Sequence, residues 1–172
     1  IIGGLAGDAL TTGTGNVALG FRALSTEDGH GKNTAIGYDA LRDLNAGADG
    51  YNVAVGYNAG YLMSTGVENT LIGGLAGDAL TIGNYNVALG KDALSTSVDG
   101  DYNTAIGYKA LEDYEDGDGA GHNTAVGANS QLNATTGEYN TSVGSLSFGS
   151  GVLTGNANVA FGYDAGNTLT SG

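Results

Sequence analysis

The sequence lacks three residue types on which small folded proteins often depend. It contains no proline, no cysteine and no tryptophan among its 172 residues, whereas glycine occurs 33 times. The absence of cysteine excludes disulfides, and so much glycine disfavours the helices of an ordinary α/β core. Regular backbone pairing must therefore provide part of the stability that bulk apolar packing provides elsewhere.

Positive charge is also scarce. Five Lys and Arg residues face 18 Asp and Glu residues, so the formal net charge is −13 at pH 7. A phosphate backbone or an anionic membrane surface repels such a chain at low salt, and we expect no nucleic-acid partner. No apolar run approaches the roughly 18 residues of a membrane span, so we also expect no membrane insertion. The chain begins at Ile1 in the middle of a repeat, which we interpret as a segment of a longer chain.

A short repeat runs through the whole chain. It begins with Asn, continues with Val or Thr, a small or aliphatic residue and a larger apolar residue, and ends with Gly. Most steps are 17 residues, and the longer steps coincide with polar Gly/Asp stretches, where a solenoid accommodates surface loops. We therefore predict an all-β fold, a parallel β-solenoid of about ten 17-residue coils in a single repeat domain over 1–172. The coils are anchored at Gly3, Gly20, Gly37, Gly56, Gly73, Gly90, Gly107, Gly127, Gly144 and Gly162.

A longer period lies above the first. The stretch from Ile1 to Thr11 returns nearly unchanged from Leu71 to Thr81, an offset of 70 residues. Four coils were therefore duplicated together.

A helical repeat is the alternative architecture. A stretch such as 37–44 could form a helical turn, but each interior glycine costs a helix about 1 kcal/mol. A mean helix of roughly 11 residues, with a strand and two turns, would also overfill the coil. The spacing therefore favours strands.

Three columns of residues can be followed from coil to coil. The residue before the repeat Gly is apolar from Ile2 to Phe161, and we predict that this column points inward as the core. Three residues after the Gly stands Ala, or Ser at Ser130 and Ser147, which indicates a tight internal corner or a subunit contact. The residue after Asn is always Val or Thr, and by the two-residue period of strands it shares a face with the aliphatic column.

The repeated Asn has a structural explanation. Stacked coils place Asn above Asn at about 4.8 Å, where side-chain amides can hydrogen-bond along the stack. We therefore assign a structural ladder, and no catalytic role, to these residues. Its members are Asn16, Asn33, Asn52, Asn69, Asn86, Asn103, Asn123, Asn140 and Asn158.

No catalytic residue and no enzyme activity are predicted. A set such as Ser25, Asp28 and His30 has no spacing that distinguishes it from chance. Two acidic, Gly-rich stretches offer the hard oxygen ligands that Ca²⁺ prefers, although neither has the EF-hand spacing and each is also explained as a solvated loop. Ca²⁺ is the only cofactor that the sequence leaves open. Its candidate ligands are Asp99, Asp101, Asp116 and Asp118.

Aromatic residues form two partial columns. One follows the repeat Gly and the other precedes the repeat Asn. We expect the rings to stack between coils or at a subunit seam, and the alternative is that exposed tyrosines bind a glycan or a host surface. The first column is Phe21, Tyr38, Tyr57, Tyr108 and Tyr163, and the second is Tyr51, Tyr85, Tyr102 and Tyr139.

The repeats resemble a known family. The stretches Asn-Thr-Ala-Ile-Gly-Tyr-Asp-Ala-Leu at 33–41 and Asn-Thr-Ala-Ile-Gly-Tyr-Lys-Ala-Leu at 103–111 are similar to repeats of trimeric autotransporter adhesin heads and of phage tail-fibre proteins. The resemblance implies a left-handed parallel β-roll and a homotrimer about a common axis. The usual coil here is longer than that of the autotransporter heads.

The function that this resemblance implies is structural. We expect a shaft or head segment of an extracellular fibre, on a virion as a tail fibre or on a cell as a surface adhesin, that gives rigidity and presents a binding tip. The expected partner is the chain itself, in a trimer or fibre assembly. The alternative is an adhesin module whose tyrosine columns or acidic loops bind a host glycan or receptor. The Val/Thr column also suggests ice binding as a third function.

Overall fold

A computed structural model describes residues 1–114 and 121–171. Nine strands of three residues each occur, one to a coil. They are β1 Val17–Leu19, β2 Thr34–Ile36, β3 Val53–Val55, β4 Thr70–Ile72, β5 Val87–Leu89, β6 Thr104–Ile106, β7 Thr124–Val126, β8 Thr141–Val143 and β9 Val159–Phe161. The described residues contain no helix, and therefore none that is long and apolar enough to cross a membrane.

The nine strands form one parallel sheet in chain order. Each strand pairs with its equivalent one coil later without a slip in register: Val17 pairs with Thr34, and Leu19 with Ile36. Ile2 extends this order by a parallel bridge to Leu19. One short strand per coil, stacked in sequence, is a parallel β-solenoid, so the predicted fold class is confirmed.

The number of turns is slightly smaller than predicted. Nine consecutive strands delimit eight complete turns, whereas the repeat count gave about ten coils. The difference lies at the two ends. The first coil joins the sheet only through the bridge of Ile2, and β9 has no later strand to pair with.

The core is not the column that the sequence predicted. Ala35, in the middle of β2, is fully buried, whereas its neighbours Thr34 and Ile36 are half-buried and lie on the other face of the sheet. The same pattern holds in every strand, so the prediction that the aliphatic column from Ile2 to Phe161 forms the core is wrong. The coil is so narrow that alanine fits between the sheet and the opposite wall, while the branched side chains face outward.

Two further columns complete this thin core. The small residues three positions after the repeat Gly are buried inside the coil, as at Ala40 and Ser130, so the internal corner is the use that is observed. The next position carries a large buried side chain, Leu41 or Leu111 for example, on a backbone with positive φ. In coils such as those of Leu41 and Leu111, alanine from the strand, alanine or serine from the corner and this leucine therefore fill the interior.

Glycine makes room where a core residue is larger. Leu71 stands in the strand column that is alanine in most coils, and it is fully buried. A Cβ atom at Gly60 would lie 2.9 Å from Leu71 Cδ1, and one at Gly77 would lie 2.8 Å from Leu71 Cδ2. Both glycines stand where some other coils have leucine. The large buried side chain in these two coils comes from the residue three positions later, which is Met63 after Gly60 and Leu80 after Gly77.

The repeat Gly is required by the approach of the next coil. Gly73 has a φ of +138°, and a Cβ atom there would lie 2.4 Å from the carbonyl oxygen of Gly90. The adjacent Gly74 would place a Cβ atom in open space. These neighbours therefore form a matched pair for testing the close contact between coils.

We expect Gly73→Ala to lower the free energy of unfolding by about 3 kcal/mol or more, because it combines a disfavoured φ with a clash against backbone. Gly74→Ala should change it by less than about 1 kcal/mol. Urea denaturation followed by circular dichroism measures both. Equal stabilities of the two variants would contradict the close stacking of coils at the repeat Gly.

Candidate functional site

The most extensive exposed feature is the outer sheet face, which we define as the first and third residues of β1 to β9. The third residues are all aliphatic or aromatic, and the first are Val or Thr. At β1 the side chains are substantially exposed, Val17 at 47% and Leu19 at 42%. No residue of the nine strands is charged, although the chain carries a net charge of −13. The face therefore forms an uncharged stripe about 38 Å long at the usual strand spacing, with one apolar column beside a column of Val and Thr.

One partial aromatic column borders the outer sheet face, two residues after five of the nine strands. The ring centroids of Phe21 and Tyr38 are 5.4 Å apart, and those of Tyr38 and Tyr57 are 5.5 Å apart. Arg22 lies over Phe21, with its guanidinium carbon 5.1 Å from the ring centroid. Its guanidinium also donates two hydrogen bonds, of 2.8 and 2.6 Å, to the buried carboxylate of Asp39 in the next coil.

The second partial aromatic column borders the outer sheet face, two residues before five of the nine strands. Successive ring centroids are 4.8 Å apart from Tyr85 to Tyr102, 4.7 Å from Tyr102 to His122 and 5.0 Å from His122 to Tyr139. Sequence reasoning missed His122, although it precedes the repeat Asn as the tyrosines do. The rings cover one another's faces, which is the stacking between coils expected of them, and their edges remain exposed.

The asparagines lie one above another and bind backbone more than they bind each other. Asn69 Oδ1 accepts a hydrogen bond of 2.9 Å from the Asn86 backbone N–H, and Asn69 Nδ2 donates one of 2.8 Å to the Gly83 carbonyl. Asn52 makes the same pair of contacts with Asn69 and Gly66. Each of these buried side chains therefore hydrogen-bonds both the loop of the next coil and the backbone just before the strand of that coil.

The candidate Ca²⁺ ligands are only partly within the described residues, since Asp116 and Asp118 lie outside them. Asp101 Oδ1 accepts hydrogen bonds from the backbone N–H of Asn84, at 2.6 Å, and from Asn84 Nδ2, at 3.2 Å. Asp99, two residues earlier, is partly buried. The Asp101 carboxylate therefore fastens the loop of the preceding coil.

A second acidic group was not predicted as a metal site. Glu27, Asp28 and His30 have ligand atoms within 4.8 Å of one another. Glu27 is fully buried, and its two carboxylate oxygens accept backbone N–H groups of His30, at 3.0 Å, and Ala46, at 3.1 Å. The carboxylate therefore joins the loops of two successive coils.

The nucleophilic set considered in the sequence is not assembled. The Ser25 hydroxyl is 3.5 Å from the carbonyl oxygen of Arg42, to which it donates. His30 Nδ1 faces Glu27 Oε1 at 3.5 Å. The described part of the chain also contains no cavity.

Asp78 is the acidic group with the clearest electrostatic perturbation. Burial, with a smaller contribution from the nearby Asp92 carboxylate, raises its pKa from an ordinary value of 3.8 to about 6. Because the folded state holds this proton more tightly than the unfolded chain, the group lowers stability as the pH rises from about 4 to about 6. Asp8, its equivalent in the first coil, is exposed.

We expect Asp78→Asn to raise the free energy of unfolding at pH 7 by about 1 kcal/mol, after allowance for the partial exposure of the carboxyl. The gain should disappear as the pH falls to about 4, where the carboxyl is neutral in both states. Urea denaturation between pH 4 and 7 measures it, with Asp8→Asn as the control. A gain independent of pH would contradict the assigned cause.

No protein-family model, no curated protein and no solved structure matches the chain. The outer sheet face and its two bordering aromatic columns are therefore the features from which a function can be inferred.

Proposed function

We propose that the chain is a structural segment, a shaft or head, of an extracellular fibre such as a phage tail fibre or a surface adhesin. It forms a homotrimer of left-handed solenoids, gives the fibre rigidity and presents a binding tip. The observation that supports this most is the outer sheet face, which carries no charge on any of the nine strands, has an apolar third residue in each of them, and is exposed at β1, β5 and β9 and half-buried at the other six. Contiguous apolar surface of this kind is typical of association sites.

The absence of charge on the outer sheet face permits copies of the same chain to associate there. Each copy carries −13 charges, so two copies repel wherever charged surfaces meet. The outer sheet face has no charged residue and allows like-charged chains to approach. Burying the face also removes its β-branched and aliphatic side chains from water, and each Å² of buried apolar surface stabilises the complex by about 25 cal/mol.

The spacing of the face favours a second copy of the same chain. Its side chains recur once per coil, about every 4.8 Å along the solenoid. A partner can interdigitate with all nine rungs only if its own side chains have the same spacing. A second copy meets that condition over the full length of the sheet, and a threefold axis along the solenoids requires the copies to run in the same direction.

Three copies suit the narrow shape of the face. Only two columns of side chains point outward from the strands, with an aromatic column on each side. Around a threefold axis, each chain can turn its apolar column and its Val/Thr column toward the centre. The aromatic column of one chain then meets a neighbour at the seam, where stacked rings offer flat surfaces and polar edges.

A glycan- or receptor-binding module is the second candidate, favoured by the exposed edges of Tyr85, Tyr102 and Tyr139. The stacking weighs against it, because each ring covers the face on which the apolar side of a sugar would stack. Binding of several unrelated glycans by the monomeric segment in an array would favour the module over the fibre.

We expect light scattering to give a mass of three chains for the folded protein. Ile72→Glu, at the centre of the outer sheet face, should convert it to monomers while the circular dichroism spectrum stays that of a β protein, because three buried carboxylates would meet near the axis. The control Ile82→Glu replaces an isoleucine that is 52% exposed outside the sheet, and this variant should stay trimeric. A stable wild-type monomer at micromolar concentration would refute the trimer.

A further inference from the structure

The first aromatic column has a gap beside β4. The position two residues after this strand carries Gly74, where the three preceding coils carry Phe21, Tyr38 and Tyr57. A Cβ atom at Gly74 would have no atom within 4 Å, whereas one at Gly4, its equivalent in the first coil, would lie 3.5 Å from Phe21 Cδ2. Gly74 therefore leaves an open slot in the column, and no neighbouring ring covers it.

Tyr57 forms one wall of this slot. Its ring stacks on Tyr38 at a centroid distance of 5.5 Å, and the residue is 57% exposed. The other face of the ring is directed along the column toward Gly74, and no ring or cation of the described residues lies over it. One aromatic face therefore remains available inside the column.

Lys91 forms the opposite wall, two coils after Tyr57. Its ammonium pairs with the Asp92 carboxylate and lies 5.7 Å from the Tyr108 ring centroid, on the side away from the slot. Two coils correspond to roughly 10 Å at the usual strand spacing. One ring placed midway would lie about 5 Å from each wall, close to the 5.5 Å between the last two stacked rings before the slot.

The width sets this slot apart from the other gap in the column. After Tyr108, two successive coils carry Ala128 and Ser145 before Tyr163 restores an aromatic residue. That gap spans three coil spacings, roughly 14 Å, so a single ring cannot contact both of its walls. Of the two gaps, only the slot at Gly74 has the width of one ring.

The groups around the slot differ in chemistry. The face of Tyr57 is apolar and carries the negative side of the ring quadrupole, which attracts C–H groups. Opposite it, the Lys91 ammonium has a carboxylate partner and further N–H groups to donate. At the floor, the Gly74 N–H donates no hydrogen bond within the described part of the chain and has no side chain to cover it. A matching ligand therefore has one apolar C–H face and hydrogen-bond acceptors on its rim.

We propose that the slot bounded by Tyr57, Gly74 and Lys91 binds the pyranose ring of a neutral sugar. A pyranose has an apolar C–H face for Tyr57, and its hydroxyl and ring oxygens accept hydrogen bonds from Lys91 and Gly74. Charge selects a neutral sugar, because the net charge of −13 repels an anionic ligand and the Lys91 ammonium repels a cationic one. All three residues belong to one chain, so the site does not depend on trimerisation.

A single ring in an open slot binds weakly. We expect a dissociation constant of about 1–10 mM for a monosaccharide. Copies held together in a fibre raise the affinity for a glycan that reaches more than one slot. That gain rests on the proposed fibre, whereas binding of one sugar by one chain does not.

Saturation-transfer difference NMR tests the site with methyl β-D-glucopyranoside, methyl β-D-galactopyranoside and methyl α-D-mannopyranoside as probes. We expect at least one of them to bind in the millimolar range, with the strongest saturation on its ring C–H protons, because these lie against Tyr57. Absence of binding by all three at about 50 mM would overturn the proposal. Phenol that binds about tenfold more tightly than every sugar would identify a site for aromatic rings and would also overturn it.

Filling the slot provides the sharpest variant. Gly74→Tyr places there the residue that Tyr38 and Tyr57 provide at the equivalent position, in open space and at a φ outside the left-handed region. The variant should fold, and its sugar affinity should fall by about tenfold or more. The matched control Ser145→Tyr adds a tyrosine to the wider gap and should bind the sugar as the wild type does. Equal affinities of the wild type and Gly74→Tyr would contradict the assigned slot.

Removing the aromatic wall is the second test. Tyr57→Leu should weaken sugar binding by about tenfold or more, because it removes the ring face, and Tyr163→Leu, at the far end of the column, should leave it unchanged. Light scattering on the same samples separates this site from the proposed fibre. Sugar binding by a monomer supports the site and refutes the trimer, whereas a trimer that binds none of the sugars refutes the site alone.

Discussion

Hydrogen bonds between equivalent residues of successive coils are the interaction on which the whole structure depends. Each three-residue strand is too short to be stable alone, and it is held because its partners lie one coil away in unbroken register. The buried asparagines and the repeat glycines both depend on that register. Each asparagine hydrogen-bonds the backbone of the next coil, and each repeat glycine lies in close contact with it. Insertions in the chain are therefore confined to loops between strands.

The sequence predicted the period and the β-solenoid, because stacked coils require the same residue type at the same place in each turn. It did not predict which face of the strand is inside. The two-residue alternation of a strand defines two faces, and the larger side chains suggested that theirs was the inner face. The narrow coil has room inside for Ala35 and not for Ile36. Glu27 was missed because a buried carboxylate in one loop breaks the repeat rather than following it, and its partners are backbone groups.

The placement of charge gives the molecule two kinds of surface. The outer sheet face is uncharged on every strand, and the acidic residues within 1–114 and 121–171 all lie outside the strands. An uncharged stripe, bordered in part by stacked aromatic rings, can therefore associate while the remaining surface stays repulsive. This division suits a rod that assembles along defined lines and resists random aggregation.

The positive backbone angles in every coil bear on how the protein folds. In the third coil Asp39, Leu41 and Tyr51 all have φ between 49° and 54°, a conformation that costs each residue about 1–2 kcal/mol in an isolated chain. One coil alone does not recover that cost, because the hydrogen bonds that hold these residues come from its neighbours. Folding must therefore begin with a slow, unfavourable nucleus of adjacent coils and then spread rapidly from turn to turn, in the manner of crystal growth.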